Sequence, residues 1–516
     1  MSKGLVIVVT GANGGVGFGI CHRLLVNLSS ANPPDAQPFF NVKEADPAYA
    51  RSYHGILNEY DFSDPEAGVT IIMACRDPKR AQDARARLYA LLDQHIAKIS
   101  LGSKDHAYAS TFRRNVRLEL ETLDLSSVRS VLDFGRRASD RATMHVGVVV
   151  RTIIITQLPY SVQGTEGGIN TRVGVTGQLV LAGSLGAFPY EYISHLIFNA
   201  GTATYSHLDI LGFVLDLFRW PVHAVHHPRR NMQVNGVLSK DNLGYTWQCN
   251  TFGHYMLYRS VQDLLLAYTR HTSRSARVLW MSSLDAEPEF DPADDWQLTK
   301  TYHSYQASKF QIELIVSELE KRTIEAQETG RASSLGETVA PHGEIHHLIV
   351  SPGITSTNMS SLLNIWIPGW RYLMIASFWI VRLLGAPHVL MSLFSAAVSA
   401  IHLALVPLAA VPTVRSEPRI SPLDVEYPYW HAYHKKCSDR VMALRFGSEN
   451  DKWGRDRTGV IAVPVWEEHP NAGEVLLERF ERLYQAYEVG YEDGEREGKE
   501  SGYANGHAKA ANGKAW

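Results

Sequence analysis

Residues 5–28 constrain the fold more than any other stretch of this chain. Leu5 to Val9 is a short, apolar, β-branched run. The glycine-rich segment Thr10-Gly11-Ala12-Asn13-Gly14-Gly15-Val16-Gly17 follows it, and Ile20 to Val26 then has the apolar spacing of a helix. A strand, a turn and a helix in this order leave the N–H groups of the helix start facing a space bordered by backbone alone, which suits a pyrophosphate. The spacing of Gly11, Gly15 and Gly17, in the form TGxxxGxG, reads as a dinucleotide-binding turn distinct from the GxGxxG form.

The alternation continues downstream. Val69 to Ala74 reads as a buried strand, Asp77 to about His95 as a helix, and Val116 to Leu120 as a strand. Asp124-Leu-Ser-Ser then feeds a helix N-cap. Strands are expected at His195 to Phe198, Arg277 to Met281 and Ile345 to Val350, with helices at Asp241 to Thr269 and Tyr305 to Ala326. This βαβ order implies an α/β protein with a doubly wound parallel sheet (Rossmann type) of at least six strands, carrying large insertions and a C-terminal extension. Length alone leaves two domains or one decorated domain open. The order of elements reads as one domain over 1–465, with insertions at about 29–68, 141–190 and 327–343. The first insertion lacks any sustained period, and Val146 to Ala187 has the texture of β-hairpins. After the apolar region Leu362 to Val411, a last strand is expected at Val441 to Phe446. An amphipathic helix is expected within 466–491, and a disordered, Gly-, Glu- and Lys-rich tail over 492–516.

Fifty basic against 53 acidic side chains, a formal net charge of -3, give no field that would gather a nucleic acid. The apolar fraction of 45 % is that of a chain able to bury a sizeable core. Cys21, Cys75, Cys249 and Cys437 are scattered without a CxxC pair, so neither a disulfide framework nor a zinc site is expected. The N-terminus reads as a first strand rather than a signal peptide, which fits a reducing, cytosol-facing location. His223, His226 and His227 form an HxxHH cluster without matching ligand spacing, and no metal is expected.

Two short segments carry chemistry. The second strand ends Ala74-Cys75-Arg76, where an acidic residue would accept from an NAD ribose. Arg76, with Lys79 or Arg80, would instead pair with a 2'-phosphate and favour NADPH, while Asp77, one residue on, would be the NAD-type partner. Tyr305-Gln-Ala-Ser-Lys309 places a phenol and an ammonium one turn apart on one helix face. The cation is expected to depress the phenol pKa and make Tyr305 a proton relay near neutral pH.

With the glycine turn, these segments resemble the short-chain dehydrogenase/reductase family, and further pieces fall in that family's order. Asn199-Ala200-Gly201 after the fourth strand looks like its NAG element, Asn250-Thr-Phe-Gly253 like its catalytic-asparagine helix, and Ser282-Ser283 like the strand end bearing its carbonyl-binding serine. Pro352-Gly353-Ile354-Thr355-Ser356-Thr357 is similar to its PGxxxT segment, which faces the nicotinamide. The resemblance implies Ser283, rather than Ser282, and Tyr305 polarising a substrate carbonyl, Tyr305 giving the proton, Lys309 also binding a ribose, and Asn250 holding a relay water. It implies cofactor contacts from Thr10, Gly11, Asn13, Gly15, Val16, Gly17, Arg76, Lys79, Asp124, Asn199, Ala200, Gly201, Tyr305, Lys309, Pro352, Gly353, Ile354, Thr355 and Thr357.

Within that family, Phe213-Val-Leu-Asp216, Thr246-Trp-Gln-Cys-Asn-Thr-Phe-Gly-His254, Trp280 to Glu287, and Phe446-Gly-Ser with Trp453-Gly-Arg resemble the fungal 3-ketosteroid reductases of ergosterol synthesis. That implies NADPH-dependent reduction of a sterol 3-ketone to the 3β-alcohol in C4-demethylation. The setting implied is the cytosolic face of the endoplasmic reticulum membrane or a lipid droplet, beside the other enzymes of that sequence. A hydrophobic sterol ketone calls for peripheral membrane contact, and Leu362 to Leu384 supplies Trp366, Trp370, Phe378 and Trp379 for it, too broken by Pro368-Gly369 to span a bilayer. Leu390 to Leu408 reads as a core helix. The competing readings are a reductase of the same fold acting on another lipophilic ketone, such as a polyketide or terpenoid, and a non-catalytic cofactor-binding scaffold.

Overall fold

The structure, a computed structural model, describes residues 4–38, 49–53, 59–139, 191–220, 231–333, 344–355, 370–389, 392–414 and 437–511. Eight strands form the main sheet: β1 (Leu5–Thr10), β2 (Val69–Cys75), β3 (Val116–Thr122), β4 (His195–Phe198), β5 (Ala276–Met281), β6 (Ile345–Ser351), β7 (Cys437–Asn450) and β8 (Asp456–Trp466). Their spatial order is β8-β7-β6-β5-β4-β1-β2-β3, parallel from β3 through β7, with β8 antiparallel to β7 at one edge. The chain starts in the middle, winds outward to β3, then returns past β1 to build the other half. The point of reversal lies between β1 and β4, where the carboxyl ends of the strands open a crevice.

Strand β1 is buried throughout, and its side chains alternate between two cores. Val6 and Val8 enter one core; Leu5, Ile7 and Val9 enter the other. This period of two is what a sheet covered on both faces requires. One face carries α1 (Gly15–Leu28), α2 (Pro78–Ile96), α3 (Lys104–Arg114) and the later α8 (Val398–Leu405). Five further helices are α4 (Ile210–Arg219), α5 (Gly253–Thr272), α6 (Ser304–Ser333), α7 (Trp370–Leu383) and α9 (Ala472–Ala511). Of these, α5, α6 and α9 cover the opposite face with helical residues 128–139.

Every residue of α8 is buried, so Leu390 to Leu408 supplies a core helix as expected. The amphipathic C-terminal helix is a structural layer: Leu476, Leu477, Phe480 and Tyr484 are buried, and Phe480 packs edge-on against Trp247, Phe252 and Tyr255. It extends to Ala511, through most of the stretch expected to lack structure, because Glu, Lys and Ala there are strong helix formers. The last strand expected at Val441 to Phe446 is part of the longer β7, and β8, which pairs with it as a hairpin, was not expected. The first insertion is partly structured, its strand Tyr49–Ser52 pairing with Pro412–Val414. Residues 141–190, the HxxHH cluster, Trp366, Ser356 and Thr357 lie outside the described residues.

Candidate active site

The glycine turn is built by close backbone packing. Gly11 adopts φ 68°, and its N–H donates to the Ala74 carbonyl at 2.9 Å. A Cβ on Gly17 would fall 2.5 Å from both the Gly11 carbonyl oxygen and the Asn199 side-chain nitrogen, so no side chain fits there. Helix α1 starts at Gly15, also at positive φ, with neither a side-chain cap nor an acidic residue in its first turn. Its first N–H groups therefore have no partner within the helix, which is the chemistry a pyrophosphate needs. Val16 packs on the core beneath, and Asn13 offers its backbone N–H to the Cys75 thiol.

One threonine ties this turn to the NAG element and to the catalytic helix. Thr10 Oγ1 accepts from the backbone N–H groups of Asn199 and Ala200, both at 3.0 Å, and Asn199 Nδ2 donates to the Thr10 carbonyl at 3.0 Å. Its hydroxyl also meets His254 Nε2 at 3.1 Å, while His254 Nδ1 lies 3.0 Å from the Asn250 carbonyl. A carbonyl only accepts, so Nδ1 carries the proton, Nε2 is the acceptor and Thr10 is the donor. His254 is buried, and burial pushes its pKa down to about 3, consistent with a neutral ring. Sequence reasoning passed over it, although its position four residues after Asn250 on one helix face was a usable signal.

At the 2'-phosphate end, Arg76, Lys79 and Arg80 are all exposed. Asp77 is the N-cap of α2, accepting from the Arg80 N–H at 3.1 Å, so its carboxylate is committed to the helix start. The Arg80 guanidinium lies 3.8 Å from where a Gly14 Cβ would stand, which puts Arg80 at the mouth of the turn. Asp124 Oδ1 accepts from the Ser126 N–H and hydroxyl, at 3.1 and 2.7 Å, and so closes a turn of its own.

The residues expected to be catalytic converge at the carboxyl ends of β4 and β5. Asn250 lies in a π-helical turn, 248–252, that leads into α5. Its side chain accepts from the Thr202 N–H at 2.7 Å and donates to the Thr202 carbonyl at 2.9 Å and to Ser308 Oγ at 2.9 Å. Ser308 in turn donates to the Tyr305 carbonyl at 2.7 Å. Gly201 faces the same point: a Cβ there would lie 3.4 Å from Asn250 Oδ1 and 3.8 Å from Lys309 Nζ. The start of α6 is held by Gln233, whose buried Oε1 accepts from the Tyr305 N–H at 2.9 Å and from Ser304 Oγ at 3.1 Å.

The structure separates the two serines after β5. Ser282 Oγ donates to Glu313 Oε1 at 2.6 Å and is buried, whereas the Ser283 hydroxyl accepts from the Asp285 N–H at 3.1 Å and faces the Tyr305 phenol, whose rise it opposes. The geometry therefore agrees with Ser283 as the residue presented beside Tyr305. One expectation fails. Burial pushes the Tyr305 phenol up to about 12, with Ser283 opposing and Asp285 reinforcing the rise. Lys309 does not depress it: Nζ sits 5.9 Å from the ring centroid and donates to the Met281 carbonyl at 2.7 Å, while its own pKa is pushed down to about 8 by burial. YxxxK spacing brings the two groups alongside, but desolvation of both outweighs their attraction.

Pro352 and Gly353, the latter at φ 68°, follow β6, and the Ile354 N–H donates to the His388 carbonyl at 2.7 Å. Thr355 ends the described part of that segment.

Several known proteins are similar to part of this sequence. A 3-keto-steroid reductase of Candida albicans is 30% identical over 200 residues, which cover 39% of this chain and 50% of that protein. One of Saccharomyces cerevisiae is 31% identical over 199 residues, covering 38% of this chain and 50% of its own length. The chain is similar to the fungal 3-keto-steroid reductases. It spans about half the length of these two yeast enzymes, and an Aspergillus fumigatus 3-keto-steroid reductase aligns over 92% of this chain and 84% of its own at 23% identity. No family model matches the chain. Among solved structures, L-sorbose reductase from Gluconobacter frateurii, complexed with NADPH and L-sorbose, overlaps 78% of this chain and 90% of its own, with 13% identity and a TM-score of 0.36. The fold is read from the strand order and not from that overlap.

Proposed function

We propose that this protein is an NADPH-dependent reductase that converts a sterol 3-ketone to the 3β-alcohol in sterol C4-demethylation. The observation that carries it is the convergence of Ser283, Tyr305, Lys309 and Asn250, from three separated segments, on one end of the sheet beside the glycine turn. A scaffold that only binds a dinucleotide has no use for that convergence. The relatedness to 3-keto-steroid reductases supplies the substrate class.

The dinucleotide, when bound, supplies the hydride. The residues present fit it: the uncapped start of α1 suits the pyrophosphate, the Gly17 position excludes any side chain, and Arg76, Lys79 and Arg80 suit a 2'-phosphate with Asp77 occupied elsewhere. Ser283 and Tyr305 polarise the ketone oxygen by hydrogen bonds that strengthen as charge develops on it. With its phenol raised to about 12, Tyr305 is protonated at neutral pH and gives its proton to that oxygen. Lys309 and Asn250 then reconnect the phenol to solvent through water.

Peripheral contact with the endoplasmic reticulum membrane, or with a lipid droplet, and work beside the other C4-demethylation enzymes belong to the same reading. Its support is the outward face of α7, where Tyr372, Trp379, Ile380 and Leu383 are exposed, while Phe378 turns inward against Val381 and Val389. Among the described residues no helix is long and apolar enough to cross a membrane. The test is NADPH oxidation with a 4-methyl-3-ketosterol in detergent, the product identified by mass spectrometry. The 3β-alcohol is the expected product; turnover confined to other hydrophobic ketones would discard the sterol assignment and keep the chemistry.

A further inference from the structure

The proton-transfer residues are held from behind by a charged pair that the proposed chemistry does not itself use. Arg445 lies on β7, beyond the six strands that carry the cofactor turn and Ser283, and it is buried. Its Nη1 donates to the main-chain carbonyl of Ser283 at 2.9 Å and to Glu313 Oε1 at 2.6 Å. That same Oε1 accepts from Ser282 Oγ at 2.6 Å. Glu313 is buried and stands one turn after Lys309 on α6, where its charge holds the Lys309 pKa up against burial. One guanidinium–carboxylate pair thus grips both residues of the Ser282–Ser283 turn and faces the ammonium one helical turn away. A buried pair of this kind contributes little net stability against an apolar replacement, so its placement at this turn is better explained by orientation.

We propose that Arg445 is a positioning residue for the reaction: together with Glu313 it fixes the Ser283 backbone so that the Ser283 hydroxyl meets the Tyr305 phenol and the substrate oxygen at once. This rests on the reductase reading above. The strand hydrogen bonds align Arg445 with Ile349 of β6, so its place is set by sheet register rather than by a loop. Arg445 reaches substrate only through Ser283, and removing it should therefore cost nothing further once the Ser283 hydroxyl is gone.

A double-mutant cycle tests this, with NADPH and the best ketone found for the wild-type enzyme. Arg445→Met is expected to lower kcat about tenfold or more, leave the NADPH dissociation constant within about threefold, and have little further effect in the Ser283→Ala background. Arg445→Lys, which keeps one donor, should recover part of the loss. A second readout needs no turnover: in protein labelled at the tyrosine Cζ carbon, the Tyr305 resonance, identified by its absence in Tyr305→Phe, reports the phenol's hydrogen bond. Arg445→Met and Ser283→Ala should shift that resonance the same way. Equal losses from Arg445→Met with and without Ser283, or a Tyr305 resonance unmoved by Arg445→Met in folded protein, would overturn the assignment. A wild-type enzyme inactive on every ketone would sink the reductase reading instead, leaving the resonance test to decide the role of Arg445.

Discussion

At the residue scale the site is a set of polar groups forced into definite protonation states by burial. Tyr305→Phe deletes the only proton offered to the ketone oxygen in this scheme and should lower kcat by about 10²–10⁴, with NADPH affinity little changed, as measured by steady-state kinetics and fluorescence titration. Lys309 loses its proton near pH 8 because burial disfavours the ammonium, so kcat/KM should fall as pH rises through that value. In Lys309→Arg the guanidinium stays charged, and that limb of the pH profile should leave the accessible range whatever the absolute rate. At the cofactor's far end, Arg76→Ala with Arg80→Ala should raise the KM for NADPH roughly tenfold and leave that for NADH unmoved, since only the former loses a 2'-phosphate partner. An unchanged preference would shift the assignment elsewhere. The places of Tyr305, Lys309 and the glycines were legible because they follow from spacing along one helix or turn. Arg445, Glu313 and Gln233 were not, because their meaning arises only when segments far apart in sequence are brought into register.

At the scale of elements, legibility followed burial. Strands covered on both faces, such as β1 and β2, announce themselves as continuous apolar runs, and their limits shift by a residue at most from the sequence reading. Helix α3 escaped notice because Lys104, Asp105, Arg113 and Arg114 dominate it, and only Ala109 and Phe112 are buried. The second half of β7 was hidden for the opposite reason. Ser448, Glu449 and Asn450 are polar yet buried: Ser448 bonds Ser399 at 2.7 Å, Glu449 pairs with Arg457 at 3.1 Å, and Asn450 Nδ2 donates to the Val389 carbonyl at 2.7 Å. A polar run with internal partners looks, in sequence, like a loop. The glycine turn yields its own prediction. Gly17→Ala drives a methyl into the Gly11 carbonyl and the Asn199 amide, and should abolish detectable NADPH binding while circular dichroism shows the helices retained.

Across the whole molecule, several buried histidines are kept neutral. His195 and His254 are pushed down to about 3, and His347 to about 4, in each case chiefly by burial. Unfolding returns each to about 6.5. The unfolded chain therefore binds more protons than the folded one between those values, and stability must decline as pH falls below about 6.5. Near pH 5 these three residues account for an uptake of roughly three protons on unfolding, measurable from the pH dependence of urea denaturation. His254→Asn should reduce that uptake by about one. If it did not, the neutral His254 inferred from its bonds to Thr10 and Asn250 would be wrong.

Helix α9 sets the order in which this protein can be made. Trp247, Phe252 and Tyr255, close to Asn250 in sequence, form a slot that Phe480 fills. Phe480→Ala should cost about 3–5 kcal/mol by emptying it. Because a ribosome delivers the N-terminus first, that slot stands open to water until Phe480 has emerged, more than 220 residues after Tyr255, and Arg445 arrives scarcely earlier. The nascent protein thus carries a sticky, unfinished core until α9 arrives. Folded protein should appear only after α9 has emerged, and cells short of chaperones should accumulate it as aggregate.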